Sequence, residues 1–435
     1  MNLKLNVPVS LMRNTVLALL AVMLFAGCTT HRDTPQRSNA KAFYEEDEYI
    51  MYALSAEQYE EYGAASSIYM TLYKRSGKSE YLYRSLQIEH KMGAYDTVLE
   101  RAQSNLEENP DDETLMRFEI FALLGKKEYE AAKTEALVLV ERTKKPQDYL
   151  IVSEIYIKQK HYDTALKYLE RAYAINYDEV ILDKMSIVLY VNLGRKSEAI
   201  SHLETHSRLH GCSAIICNRL AGFYSEQNDL EGMLSTYLRL HEIDPFKKEY
   251  GEAVVKIYNY QKDYPKLMVF LEKSHVDDRM LLQLYINNKS YEKAAVLAAE
   301  LYEKEGDVAY LGQYAIFTYE SAEDKNDPKM LQQVMDAFRT VLQQSRDALY
   351  YNYLGYLMID HDLDIDEGIG YVKKALEIEP DSPYYKDSLG WGYYKQGKCV
   401  EAFKLIKQVE KELGNDDEEV KGHLDAIKKC LKRMK

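Results

Sequence analysis

The chain has 435 residues and a formal net charge of −14. It is too long for one small core and lacks the basic balance that sequence-independent nucleic-acid binding needs. Only 9 Pro occur, beside 39 Tyr, 10 Phe and 1 Trp, a composition that suits helices throughout, with tyrosines filling inter-helix gaps while their hydroxyls stay wet.

At the start, Lys4 and Arg13 precede the apolar run Val16 to Phe25, followed by Ala26, Gly27 and Cys28. A positive segment, a short apolar segment and small residues describe a signal peptide over residues 1–27. The run is half the length of the roughly 20 residues that span a bilayer. Leu24-Phe25-Ala26-Gly27-Cys28 resembles a bacterial lipobox, with Phe25 where Leu is usual. That resemblance implies cleavage before Cys28 and its lipidation, palmitate included; an ordinary signal peptide with an incidental Cys is the alternative. By the sorting rule of such lipoproteins, Thr29 beside the cysteine implies the outer membrane, periplasmic face. Loss of residues 1–27, which carry Lys4 and Arg13 and no acid, takes the charge from −14 to −16. Residues 28–41 read as the lipidated Cys and a polar tether, whose extended reach is roughly 45 Å.

Repetition governs the rest. Leu354-Gly355 recurs as Leu389-Gly390; Gly368, Val372, Ala375 and Pro380 close the first copy, and Gly397 and Ala402 mark the turn and second helix of the next. This spacing resembles the tetratricopeptide repeat (TPR), a helix-turn-helix unit of about 34 residues. Small residues fall where backbones approach, Leu354, Leu389, Tyr393 and Ile406 fill the surrounding space, and Gly397 permits a turn with positive φ. Eleven such hairpins fit between 42 and 415. They are degenerate over 42–345 and well formed over 346–415, with the fourth hairpin, from Pro146, the clearest of the earlier ones. A final segment, 416–435, places Val420, Leu424, Ile427 and Leu431 on one face, as a capping helix with a basic tail would. No run shows strand-like alternation. The expected fold is all-α: a TPR-like α-solenoid of about eleven hairpins with a C-terminal capping helix.

Several constellations invite chemistry. Cys399 starts one helix and Cys430 ends the antiparallel cap; both legs are about 20 Å at about 1.5 Å per residue, so the thiols should meet, in a disulfide or, as the alternative, as two free thiols that happen to align. Cys212 and Cys217 are a possible second pair. His202, His206 and His210 stand one turn apart and are a weak candidate for zinc, although His206 falls at a packing position. Asp360, Asp362, Asp364 and Asp366 alternate in one turn, but the Gly and Glu of a calcium loop are missing, so a solvated acidic turn is expected, with one aspartate capping the helix at Glu367. No nucleophile elbow, phosphate-binding glycine loop or zincin motif occurs; no enzyme activity and no cofactor are expected.

In a TPR the first helix of each hairpin lines an inner groove. That mapping turns Asn352, Tyr356, Asp387, Trp391, Tyr394 and Lys395 inward, with Trp391 a natural anchor for a protein partner; packing of Tyr356 and Trp391 between hairpins is the alternative. The paired Lys and Asn of carboxylate-clamp TPRs are not reproduced. The pattern of Leu354-Gly355-Tyr356, the acidic turn and Asp387-Ser388-Leu389-Gly390-Trp391, behind a lipobox, is similar to bacterial outer-membrane TPR lipoproteins. That type includes adaptors of periplasmic C-terminal-processing proteases. The resemblance implies a non-catalytic scaffold for periplasmic or envelope proteins. The other readings are a structural part of an envelope machine (flagellar motor, pilus or outer-membrane assembly) and, third, a metal-binding lipoprotein.

Overall fold

The computed structural model describes residues 41–413 and 418–433. The expected leader, Cys28 and the expected tether before Lys41 lie outside the described residues. Contacts divide the chain into two units, 41–254 and 255–433. Among the described residues there are 23 α-helices and no strand. None of these helices is long and apolar enough to cross a membrane.

In the first unit the hairpins pair α1 (Glu46–Gln58) with α2 (Tyr62–Ser76), α3 (Ser79–Lys91) with α4 (Tyr95–Glu108), and α5 (Glu113–Gly125) with α6 (Tyr129–Thr143). They continue as α7 (Pro146–Lys158) with α8 (Tyr162–Asn176), α9 (Glu179–Ile187) with α10 (Lys196–His210), and α11 (Ala214–Gln227) with α12 (Leu230–Ile243). The boundary at Val254 falls within α13 (Lys248–Gln261). The second unit holds α14 (Tyr264–Ser274), α15 (Asp278–Asn287), α16 (Tyr291–Glu305), α17 (Val308–Ser321), α18 (Pro328–Gln344), α19 (Ala348–Asp360), α20 (Ile365–Ile378), α21 (Pro383–Lys395), α22 (Cys399–Leu413) and α23 (Glu418–Arg433). Counted along the chain, these are eleven hairpins and a last unpaired helix, an all-α, TPR-like array.

The elements form where local chemistry tells them to. Asp112, Asp178, Ser213, Asp229 and Asp307 cap helix starts by accepting from backbone N–H groups one turn in, each such cap being worth about 1 kcal/mol. Pro146, Pro328 and Pro383 open helices, where a missing N–H costs nothing. Inside the hairpins Ala65, Ala102, Ala165, Ala199, Ala375 and Ala402 are fully buried, and their small side chains let helices close on one another. Gly355 makes a close backbone crossing: a Cβ there would lie 2.6 Å from the Gly368 carbonyl oxygen.

The turns inside the hairpins hold a surprise. Ten of the eleven contain a residue with positive φ, but only Gly93, Gly194 and Gly397 are glycines; Glu60, Lys127, Lys160, Asn228, Lys262, Lys289 and Asp362 do the same job. A left-handed L-residue costs about 1–2 kcal/mol, so hairpin packing dictates these turns. The fifth hairpin also departs from the repeat: α9 runs into a wide π-helical turn at Val188–Asn192. That turn places fully buried Tyr190 flat against Phe223, with ring centroids 3.8 Å apart.

Successive first helices of the first unit are stitched by ion pairs. Glu57 on α1 meets Arg84 on α3, Arg117 on α5 meets Asp148 on α7, Glu154 on α7 meets Lys184 on α9, and Asp183 on α9 meets Arg219 on α11. Asp148 is fully buried and also accepts from Thr143 at 2.6 Å.

Candidate protein-interaction site

The second unit builds its first-helix face differently. α19 and α21 pack together and bring the six expected groove residues to one neighbourhood, with α23 as a further wall. Asp360, the last residue of α19, accepts from the Trp391 indole N–H at 2.9 Å. Lys395 donates to the Asp360 carbonyl at 3.0 Å and to the Asp362 carboxylate at 2.8 Å. The indole lies between two rings: Tyr394 at 4.7 Å and His423 of α23 at 4.1 Å, both nearly parallel to it. His423 Nδ1 stands 2.9 Å from Asp387 Oδ2, and both side chains are buried. Tyr356 donates its hydroxyl to Glu419 of α23. Burial and that carboxylate push the Tyr356 pKa far above the ordinary phenol value.

Trp391 is thus half-buried and shared between α19, α21 and the cap, rather than standing alone as an anchor. Two polar atoms on this face find no protein partner among the described residues: Asn352 Oδ1 and Asp387 Oδ1. On α17 the same is true of Gln313 Oε1 and Thr318 Oγ1. Each unmade hydrogen bond of a buried polar atom costs about 1–3 kcal/mol. Next along, Tyr319 meets His361 at 3.1 Å, and His361 meets Asn326 at 3.1 Å. Burial, helped by the charge of Asp360, raises the Tyr319 pKa to about 12.

Sequence reasoning missed Glu419 and His423, which supply half of the wall. Their signal was available: they stand four residues apart and alternate with the apolar Val420, Leu424 and Ile427. Those apolar residues pack on Ala402, Ile406 and Val409. Asp360 was visible only as a member of the acidic turn. In the structure those four aspartates diverge: Asp360 to Trp391, Asp362 to Lys395, Asp366 to Gln396, and Asp364 to the backbone N–H of Glu367 as the helix cap. No common centre remains for a cation.

Cys399 is bonded to Cys430, with Cα atoms 6.0 Å apart, which ties α22 to α23. Cys212 is bonded to Cys217, with Cα atoms 5.6 Å apart, across the entry to α11. The three histidines do not share one centre, although the His206 and His210 rings lie 4.8 Å apart. Buried His206 turns Nδ1 to the Tyr173 hydroxyl at 2.8 Å and Nε2 to Glu179 at 3.4 Å. His202 lies 3.9 Å from Glu198, and His210 stacks on Tyr177. Among the described residues no group of three His, Cys, Asp or Glu side chains is placed to hold a metal ion.

No family model matches the chain. A TPR repeat-containing protein of Pseudomonas aeruginosa is 32% identical over 103 residues, which are 24% of this chain and 17% of that protein. Among solved structures, the APC/C hetero-tetramer Cut9-Hcn1 gives a TM-score of 0.39 at 10% identity, covering 89% of this chain and 97% of that one. A tetratricopeptide repeat protein from Parabacteroides merdae gives 0.28 at 16% identity, covering 65% and 98%. The TPR domain of P58(IPK) gives 0.26 at 12%, covering 90% and 99%. The chain spans about a sixth of the length of its curated relative, and it is this chain's own hairpins that establish a TPR-like architecture.

Proposed function

We propose that the chain is a non-catalytic protein-interaction scaffold, anchored through lipid on Cys28 to the periplasmic face of the outer membrane. Its partner site is the face of α19, α21 and α23. One observation carries this reading: three half-buried aromatics, Tyr356, Trp391 and Tyr394, gather on one face together with His423 of α23. Trp and Tyr supply large contact area at low entropic cost. Hairpin arrays offer extended surfaces for this use. In its sharpest form the scaffold is an adaptor that presents clients to a periplasmic protease or cell-wall hydrolase. Support for that form is the lipobox-like end and the resemblance of residues 350–405 to such lipoproteins.

The test is a pull-down from native periplasm with the chain from Thr29 as bait and Trp391→Ala as control. Recovery of a protease or hydrolase that the variant loses supports the adaptor. Recovery of motor, pilus or assembly components transfers the site to an envelope machine. For a purified partner, Trp391→Ala is expected to weaken binding by more than about 1 kcal/mol; unchanged affinity at unchanged helicity overturns the site. Membrane fractionation of Cys28→Ala checks the anchor, which is expected to be lost.

A further inference from the structure

We infer that α16 presents a second docking surface, on the opposite kind of helix, for a cationic amphipathic protein segment. α16 is the second helix of its hairpin, and its outer stripe reads Glu292, Val296, Glu300 and Glu303 at helical spacing. Val296 is 58% exposed. Hollows lie on both sides of it. One, of about 390 Å³, is bounded by Tyr314 and Thr318 of α17; the other, of about 430 Å³, by His275, Tyr285 and Lys293, the last paired with Glu272. Both include Glu292, Val296 and Glu300, so the stripe is a ridge between two troughs.

The charge pattern selects the occupant. Carboxylates on the flanking helices are answered: Glu272 meets Lys293 and Tyr285, and Asp278 meets His275 and Lys304. Glu292, Glu300 and Glu303 have no ion pair among the described residues. Glu300 and Glu303, one turn apart, repel. A partner carrying Lys or Arg around a small apolar side chain is complementary to this face. Its apolar group would cover Val296 and its cations would meet the three carboxylates. Thr318 Oγ1, beside the first hollow, is a further polar atom without a protein partner. None of these residues belongs to the Trp391 site, so this surface stands or falls separately.

The experiment uses the full chain and a fluorescein-labelled helical peptide of Lys and Leu in amphipathic order, of about 18 residues or five turns. Its Glu and Leu counterpart serves as the control peptide. Binding is read by anisotropy at physiological salt. The wild type is expected to bind the Lys peptide alone. Glu292→Gln, Glu300→Gln and Glu303→Gln together are expected to weaken it at least about tenfold, with circular dichroism unchanged. Val296→Asp is expected to weaken it as well, although it adds a negative charge. A charge-matched control, Glu107→Gln, Glu108→Gln and Glu231→Gln, removes exposed acids of the other unit and is expected to leave affinity unchanged. Equal loss in both triple variants, or tighter binding by Val296→Asp, would reduce the effect to net charge and overturn the surface. So would loss of peptide binding in Trp391→Ala, or self-association of the wild type abolished by the α16 variant, since a second copy would then be the occupant.

Discussion

The two units solve the same packing problem with different chemistry. In the first, neighbouring first helices are joined by carboxylate–guanidinium and carboxylate–ammonium pairs, and Asp148 has both oxygens bound. In the second, α19, α21 and α23 are joined by an indole, an imidazole and phenols, with Asp387 and Asn352 each leaving an oxygen unpaired. A buried ion pair, once satisfied, has little left to offer a visitor, and breaking it leaves a naked charge. A half-buried aromatic cluster still has apolar ring area to cover. The contrast sets a face tied by charge apart from a face tied by aromatic rings.

The strongest test of the contrast is Arg117→Ala, which strands fully buried Asp148. A loss of about 3–5 kcal/mol is expected in denaturant unfolding of the first unit; a loss below about 1 kcal/mol would mean that the pairs are not its framework. Next comes the staple of the second unit. Cys430→Ser, or reduction, opens a loop closed over 31 residues and is expected to cost the cap about 3–4 kcal/mol. Hydrogen exchange should then rise in α23 first, and labelling of the native protein should find neither thiol free.

A third test uses pH. Glu46 is buried on α1. Burial alone would raise its pKa, but hydrogen bonds from Lys78 at 2.5 Å, Tyr81 at 2.7 Å and the Ala42 N–H at 2.6 Å outweigh it and hold the carboxyl down at about 2, against an ordinary 4.5. A folded-state pKa below the unfolded one stabilises fully above the unfolded value. The contribution is therefore present above pH 4.5 and fades as pH falls towards 2. Wild type should lose stability over that window more steeply than Glu46→Gln, by urea titration at several pH values; parallel curves would remove Glu46 from the account. The smallest effect concerns the turns. Lys160→Gly relieves a left-handed residue at φ 62° and is expected to raise stability by up to about 1 kcal/mol. A loss would show that the lysine side chain itself holds the turn.

Much of this was legible in advance, for identifiable reasons. Gly355, Gly368, Ala375 and Ala402 mark helix crossings because nothing larger fits there, and the apolar spacing of Val420, Leu424 and Ile427 announces a helix with one face to hide. The turns were harder to read, because Lys127, Lys160, Lys262 and Lys289 carry no sign of a left-handed backbone; tertiary packing overrides their preference. The π-helical turn at Val188–Asn192 is an insertion that leaves the hydrophobic order intact and so hides in the sequence. The site was half legible. Trp391 and Asp387 stand out on α21, but what they touch, His423 and Asp360, comes from 32 residues later and 31 residues earlier. Only the return of α23 brings the first of these near.

The bond between Cys399 and Cys430 also sets a direction. Stacked hairpins hold one another by nearest-neighbour contacts, so they tend to unravel from their open ends. Here the last helix cannot peel away without a reductant, because its end is covalently fastened to the hairpin beneath. Pulled or heated under oxidising conditions, the second unit should come apart from some other point, leaving the C-terminal lock as the last knot in the thread.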